Sequence, residues 1–358
     1  MGGRGKSRSS SRGSRRGRKN IQQNKKDEED RISNLPDDLI INHILSYLHS
    51  NVAVQTTVLS KRWKNLWTTL PCLNFERGLS SNYENLVRNF LENRDQESLL
   101  SQFTIDGKLG GEEMLKKCLD YVISNDVEYL CISNGDLTVY PGLFNSACLK
   151  TKTSLTSLHL VKVRIGKQVL EFENLRDLTL VETCIIDADD MYIFINCQKL
   201  RSLTLNMDLH LIFFVTAPSL LYFSYCSGQV PRFFATRDGF PCIKQVHIDI
   251  KKDDSDFFKY YYETGYYCKN GMQMVMNNFI SMLKAVRETP FLELSSETIE
   301  GLRLVPYLWK YEHSSLANLK IISLRGPGLF DTLLPRTMDH VTDYLLTNSP
   351  CAKIITRL

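Results

Sequence analysis

Two histidines, His159 in "LTSLHLV" and His247 in "IKQVHID", stand at matching places in similar apolar stretches, and ten cysteines are spread along the 358 residues. Imidazoles ligate transition metals and move protons near neutral pH, and thiolates bind zinc or attack electrophiles, so these are the first groups to test for chemistry. Their spacing argues against it. No two cysteines form a CxxC pair, and the nearest neighbours are 13 apart (Cys118/Cys131 and Cys184/Cys197). Several lie in apolar, strand-like runs, which predicts buried, reduced thiols rather than a zinc site or a disulfide frame. No G-x-S-x-G, P-loop, H-E-x-x-H or dinucleotide fingerprint occurs. The expectation is a non-catalytic protein with no metal and no cofactor.

The histidines belong to a repeat, and the repeat sets their positions. An apolar L-x-x-L-x-L pattern recurs at Leu155/Leu158/Leu160, Leu175/Leu178/Leu180, Leu200/Leu203/Leu205, Leu220/Phe223/Tyr225 and Ile243/Val246/Ile248, at spacings of 20, 25, 20 and 23. Looser copies stand at Leu100/Phe103/Ile105, Val127/Leu130/Ile132 and Leu319/Ile322/Leu324. Each unit offers one short strand that cannot bury its apolar side alone, so stacked units share one core; this predicts a curved α/β solenoid with a parallel sheet. His159 and His247 then lie four strands apart, about 19 Å at ~4.8 Å per strand, and cannot share an ion.

Alternation along each strand sends the residues between the leucines to the concave side. Ser157, His159, Thr179, Thr204, Asn206, Ser224, His247, Asp249 and Arg325 are therefore candidates for contacting a protein substrate; a plain solvated sheet face is the competing reading. Between Ile248 and Leu319 the period breaks. Seven aromatics fall within Phe257 to Tyr267, read either as partner anchors or as packing against the solenoid. They precede a helical pattern, Met272/Met276/Phe279/Leu283 with Val275/Met282/Val286, so that an aromatic loop and helix are inserted at about 251–288.

The charge is uneven. Ten of the 44 Lys/Arg fall in residues 1–26, with no acid, leaving 34 basic against 40 acidic residues, a net of −6 for the remainder. The Gly/Ser/Arg composition of residues 1–30 predicts a disordered tail. Arg15, Arg16, Arg18 and Lys19 are a candidate nuclear import signal, with loose RNA binding as an alternative, although nucleic acid is not the expected partner. The longest apolar run, around Leu211 to Val215, is too short to span a membrane, and the N-terminus has no secretory apolar core. Nucleus, cytoplasm or both are the expected compartments.

Residues 31–75 hold the densest apolar patterning. Pro36 suits a helix start, Asp37 and Asp38 favour its N-terminal dipole, and Ile40/Ile44/Leu48 with Ile41/Leu45 form a wide apolar face. Asn51 is expected to cap a second helix, and Ser60 a third carrying Trp63, Leu66 and Trp67. Helices this short are marginal alone. The stretch Leu35-Pro36-Asp37-Asp38-Leu39, then Ile44-Leu45-Ser46-Tyr47-Leu48, then Val58-Leu59-Ser60-Lys61-Arg62-Trp63 with Trp67 resembles the F-box motif in its plant form.

Together with the repeats, this arrangement resembles the plant F-box/leucine-rich-repeat proteins, some of which add a C-terminal FBD segment; here that segment is expected to be abbreviated. The resemblance implies a three-helix F-box over 31–75 and a linker helix over 76–97, followed by irregular repeats over 98–358. It implies a substrate-receptor subunit of an SCF-type ubiquitin ligase, joined through a small adaptor to cullin and holding an unknown protein substrate. By the same resemblance Leu35, Pro36, Leu39, Ile44, Leu45, Leu48, Val58, Leu59, Arg62, Trp63 and Trp67 are the adaptor-binding residues. A nucleic-acid-associated protein and a repeat scaffold outside any ligase are the alternatives.

Overall fold

The computed structural model describes residues 32, 34–76, 83–107, 112–133, 154–165, 169–185, 192–207, 212–228, 230–235, 239–251, 269–303, 316–326 and 339–357. Eleven parallel strands make one long sheet, and in this sheet strand follows strand in chain order. They are β1 (Cys72–Glu76), β2 (Gln102–Asp106), β3 (Tyr129–Ser133), β4 (Ser157–Val161), β7 (Asp177–Val181), β10 (Ser202–Asn206), β12 (Tyr222–Ser227), β14 (Gln245–Ile250), β15 (Phe291–Ser295), β16 (Ile321–Arg325) and β17 (Lys353–Arg357). All eight repeats read from the apolar pattern supply a strand, and their leucine-type positions are buried: Leu158, Leu160, Leu178, Leu180, Leu203 and Leu205 have almost no exposed surface.

The opposite layer changes character along the chain. Near the ends it is helical, with Tyr83–Asn93, Glu112–Ser124, Lys269–Ala285, Ser296–Arg303 and Asp339–Asn348. In the middle it is a second parallel sheet of β6 (Val169–Glu171), β9 (Tyr192–Asn196), β11 (Ile212–Thr216) and β13 (Arg232–Ala235), and a two-stranded ladder joins β5 (Arg164–Ile165) to β8 (Cys184–Ile185). "YIFIN" and "IFFVT" alternate and are rich in β-branched and aromatic residues, so a strand suits them better than a helix. Val169, Phe194, Phe214 and Phe234 lie in register across this sheet, and the Phe214 ring stacks on Phe194 at 4.8 Å and on Phe234 at 5.0 Å.

Two chain reversals use non-glycine residues in the left-handed region: Lys162 (φ 55°) after β4 and Glu182 (φ 46°) after β7. Each then donates its N–H to the next strand's last carbonyl, Val181 and Asn206. A 3.5 Å ion pair joins Lys162 to Glu182. The inserted helix spans Lys269–Ala285 and buries Met276, Phe279, Met282 and Leu283. The aromatic run Phe257 to Tyr267 and the basic tail lie outside the described residues.

The N-terminal helices differ from expectation in detail. Pro36 occupies the N-cap of helix Asp37–His43 rather than its first turn. The second helix is Ser50–Gln55 with His49 at its N-cap, so Asn51 lies inside it and accepts only from the next amide. The third helix is two short 3-10 turns, Arg62–Lys64 and Leu66–Thr69, separated at Asn65. These elements close over Ile40, Leu45, Ala53, Trp63, Leu66 and Leu70.

Candidate functional site

Much of what the sequence suggests as adaptor surface has gone inward. Leu45 and Trp63 are buried, and Leu35, Ile44, Leu48 and Trp67 are half-buried against the core. Trp67 packs its ring edge on Phe90 at 4.7 Å, and contacts continue through Phe75 (5.2 Å) to Phe103 (6.0 Å), which ties these helices to the first repeats. Arg62 is half-buried, gives Asp37 a 2.6 Å hydrogen bond, and also bonds the Leu35 carbonyl; it fastens the chain entry to the third segment.

What stays outside is a cluster. Pro36 is exposed, and so are Ile32, Leu39, Tyr47 (82% exposed), Val52, Val58 (85%) and Leu59 (64%). These last six are more than half of the eleven exposed large apolar side chains among the described residues, packed into 28 positions. Exposed apolar residues elsewhere among the described residues are scattered singly along the chain. Ile32, Tyr47 and Val52 were not singled out by sequence. Tyr47 and Val52 lie in short helical elements, and Ile32 in the turn before the first helix, beside a core already filled by Ile40, Leu45 and Trp63.

The concave row is in register across the sheet: His159, Thr179, Thr204, Ser224, His247, Glu293 and Ser323 stand side by side on β4, β7, β10, β12, β14, β15 and β16. Thr179, Thr204, Asn206, Ser224 and Asp249 are half-exposed, and Arg325 is exposed. Ser157 is buried, a departure from the expected concave exposure: its hydroxyl lies 3.0 Å from His159 Nε2. His159 also leans on the Tyr129 ring at 5.2 Å, and burial lowers its pKa, partly offset by Asp177.

His247 lies against a carboxylate without a hydrogen bond to it. Its Nδ1 is 2.9 Å from Glu293 Oε1, and Glu293 is only 7% exposed. The same carboxylate lies 3.7 Å from Arg325 and 4.0 Å from Arg357, and accepts from Ser323 Oγ at 3.3 Å. A buried carboxylate needs such partners to remain charged. Glu293 and Arg357 were missed because their strands, β15 and β17, were not read as repeats. Among the described residues, no group of three or more His, Cys, Asp or Glu side chains is placed to hold a metal ion, and no helix is long and apolar enough to cross a membrane.

The N-terminal helices and the repeat sheet together make a small helical module joined to a parallel-sheet solenoid. Residues 32–75 match the F-box domain, so the N-terminal module is an F-box. The chain is similar to several plant proteins. It is 27% identical over 180 residues to F-box/LRR-repeat protein 25 of Arabidopsis thaliana, covering 49% of this chain and 67% of that one. It is 25% identical over 392 residues to an F-box protein of the same plant, covering 88% and 75% respectively. A putative F-box/FBD/LRR-repeat protein is 30% identical over 221 residues, which is 56% of this chain but 48% of the relative.

Proposed function

We propose that this F-box protein is the substrate-receptor subunit of an SCF-type ubiquitin ligase: the F-box docks on the small adaptor, and through it on cullin, while the concave face holds the protein to be ubiquitinated. In this role the chain is non-catalytic. The observation that carries the reading is the cluster of Leu39, Tyr47, Val58 and Leu59 outside an F-box whose own core is filled. An apolar patch on a completed module is explained by a partner that covers it. The matching row of small polar groups on the sheet supports protein recognition on the concave side, and the basic run at Arg15, Arg16, Arg18 and Lys19 supports a nuclear pool.

The test is co-purification of the full chain with the adaptor. Leu39→Asp with Leu59→Asp places two carboxylates in the patch without touching the core. Losing an interface anchor commonly costs about 2 kcal/mol or more, so adaptor capture should fall by at least roughly 30-fold while the repeats keep their thermal transition. Undiminished capture by this variant would refute the assignment.

A further inference from the structure

Three exposed apolar side chains that are far apart along the chain meet on the outer face of the second sheet. Val169, Phe194 and Phe234 are 38%, 42% and 47% exposed, and the half-buried Phe214 stands between the last two in the register row that crosses β6, β9, β11 and β13. Alternate positions point the other way, and there Leu170, Ile195, Val215 and Phe233 are buried, so the core beneath is filled without this row. The phenylalanine rings stack across neighbouring strands with planes 12° apart, which turns their edges to the solvent. The rows on either side add charge. Towards the strand starts the row is Tyr192, Ile212 and Arg232; towards the strand ends it is Glu171, Asn196 and Thr216. Arg232 and Glu171 are both exposed and occupy diagonally opposite corners, on the edge strands β13 and β6. Asn196 Nδ2 donates to Glu171 Oε1 at 2.8 Å. Every other residue of the three rows is uncharged.

An isologous contact needs a surface that is its own complement. Arg232 and Glu171 are three strand spacings and four residues apart in register, about 14 Å by about 13 Å. A twofold axis in the plane of the face, perpendicular to the line joining them, lays each Arg232 over Glu171 of the second copy. It also crosses the two sets of strands at close to 90°, the angle of orthogonally packed sheets. The ring ladders then meet at the centre, apolar on apolar, between two ion pairs at the corners. We propose that this outer face binds a second copy of the chain. The face spans about 19 Å by about 17 Å, roughly 320 Å² in projection, less than the ~800 Å² per partner of a standard interface. The dimer is therefore weak and forms with rising concentration. It uses neither the concave face nor the exposed F-box residues, so it is independent of the ligase role.

The test is sedimentation equilibrium of the full chain carrying Leu39→Asp with Leu59→Asp, so that the F-box patch does not itself hold copies together. In this background the mean mass should climb from monomer towards dimer as concentration rises. Adding Arg232→Glu sets Glu against Glu at both corners, and adding Glu171→Arg instead sets Arg against Arg. Each reversal should raise the dimer dissociation constant at least about 10-fold, because like charges are brought into contact twice. An equimolar mixture of the two reversed chains restores opposite charges at both corners and should recover the association of the parent. Both positions are exposed, so each chain should keep its thermal transition. A parent that stays monomeric at every concentration, leaving the face to a different protein, would overturn the proposal. So would reversed chains that dimerise as well as the parent, or a mixture that associates no better than its components.

Discussion

Replacing Arg94 with Met should separate the F-box from the repeats energetically. Arg94 is 3% exposed and follows helix Tyr83–Asn93. Its guanidinium donates to the Leu70 carbonyl at 3.0 Å, to Leu99 at 2.8 Å, to Asp95 at 3.0 Å and to the Tyr121 hydroxyl at 3.2 Å. Leu70 belongs to the F-box, and Leu99 and Tyr121 to the first repeats. Met preserves much of the side-chain volume but donates nothing. The Leu70 carbonyl then loses a charged donor in the interior, at about 1–3 kcal/mol, and the Leu99 carbonyl loses another that water partly replaces. The expected loss is about 3 kcal/mol, a large share of a typical 5–15 kcal/mol. Arg94→Lys, with one compact ammonium, should lose about half as much. Urea unfolding followed by tryptophan fluorescence reads the change, because Trp63 and Trp67 both sit in the F-box. If Arg94→Met lowers stability by less than about 1 kcal/mol at unchanged denaturant slope, the carbonyls hydrate themselves and the clamp is not what joins the two parts.

Other consequences follow from single positions. Gly239 has φ +64° and lies where an added Cβ would sit 2.5 Å from the Ala285 carbonyl oxygen at the end of the inserted helix, so Gly239→Ala should lower the thermal midpoint by several degrees; an unchanged midpoint would mean the helix end shifts freely. Burial pushes the thiols of Cys118 and Cys197 up to about 12 and about 11, so both should resist alkylation at pH 8 while the exposed Cys242 and Cys351 label quickly; mass spectrometry showing early labelling of Cys118 would count against the packing. His159 has a folded pKa lowered from 6.5 by burial, so the unfolded chain binds the extra proton first and stability should fall as pH drops below about 6.5. His159→Gln should flatten that slope in urea titrations, and an equally steep slope in the variant would exclude His159 as its source.

The solenoid was legible because its signal is a burial requirement repeated many times: a strand with Leu158 and Leu160 inward admits one face and one neighbour. Three strands escaped. In β15 the first apolar position of the pattern is Thr289, whose hydroxyl donates to the Phe291 carbonyl, so a polar residue stands where the period asks for leucine. In β17 the matching place is the exposed Cys351. In β1 the pattern Leu70/Leu73/Phe75 is present and fully buried, but it overlaps the F-box motif, and one stretch answers to both. The F-box was legible as a segment, but the sequence did not show which of its side chains face outward. Short 3-10 turns rotate side chains by an angle that α-helical periodicity does not give, which is why Trp63 and Leu45 point inward while Val58 and Leu59 do not. The Glu293 cluster requires four strands, β14 to β17, to be aligned first, and that alignment is tertiary information.

The overlap at β1 has a mechanical meaning. The last residues of the F-box are also the first rung of the sheet: Asn74 pairs with Thr104 on one side and donates its amide N–H to the Ser50 hydroxyl on the other. Strand and module are one solid piece, with no tether between them. Ten strand intervals separate β1 from β17, a path of roughly 48 Å at ~4.8 Å each. The last strand, β17, is therefore the tip of a stiff curved arm whose base is the F-box itself. The reach and heading of that tip are set by the number and twist of the repeats, so that deleting one repeat would swing it through a fixed angle.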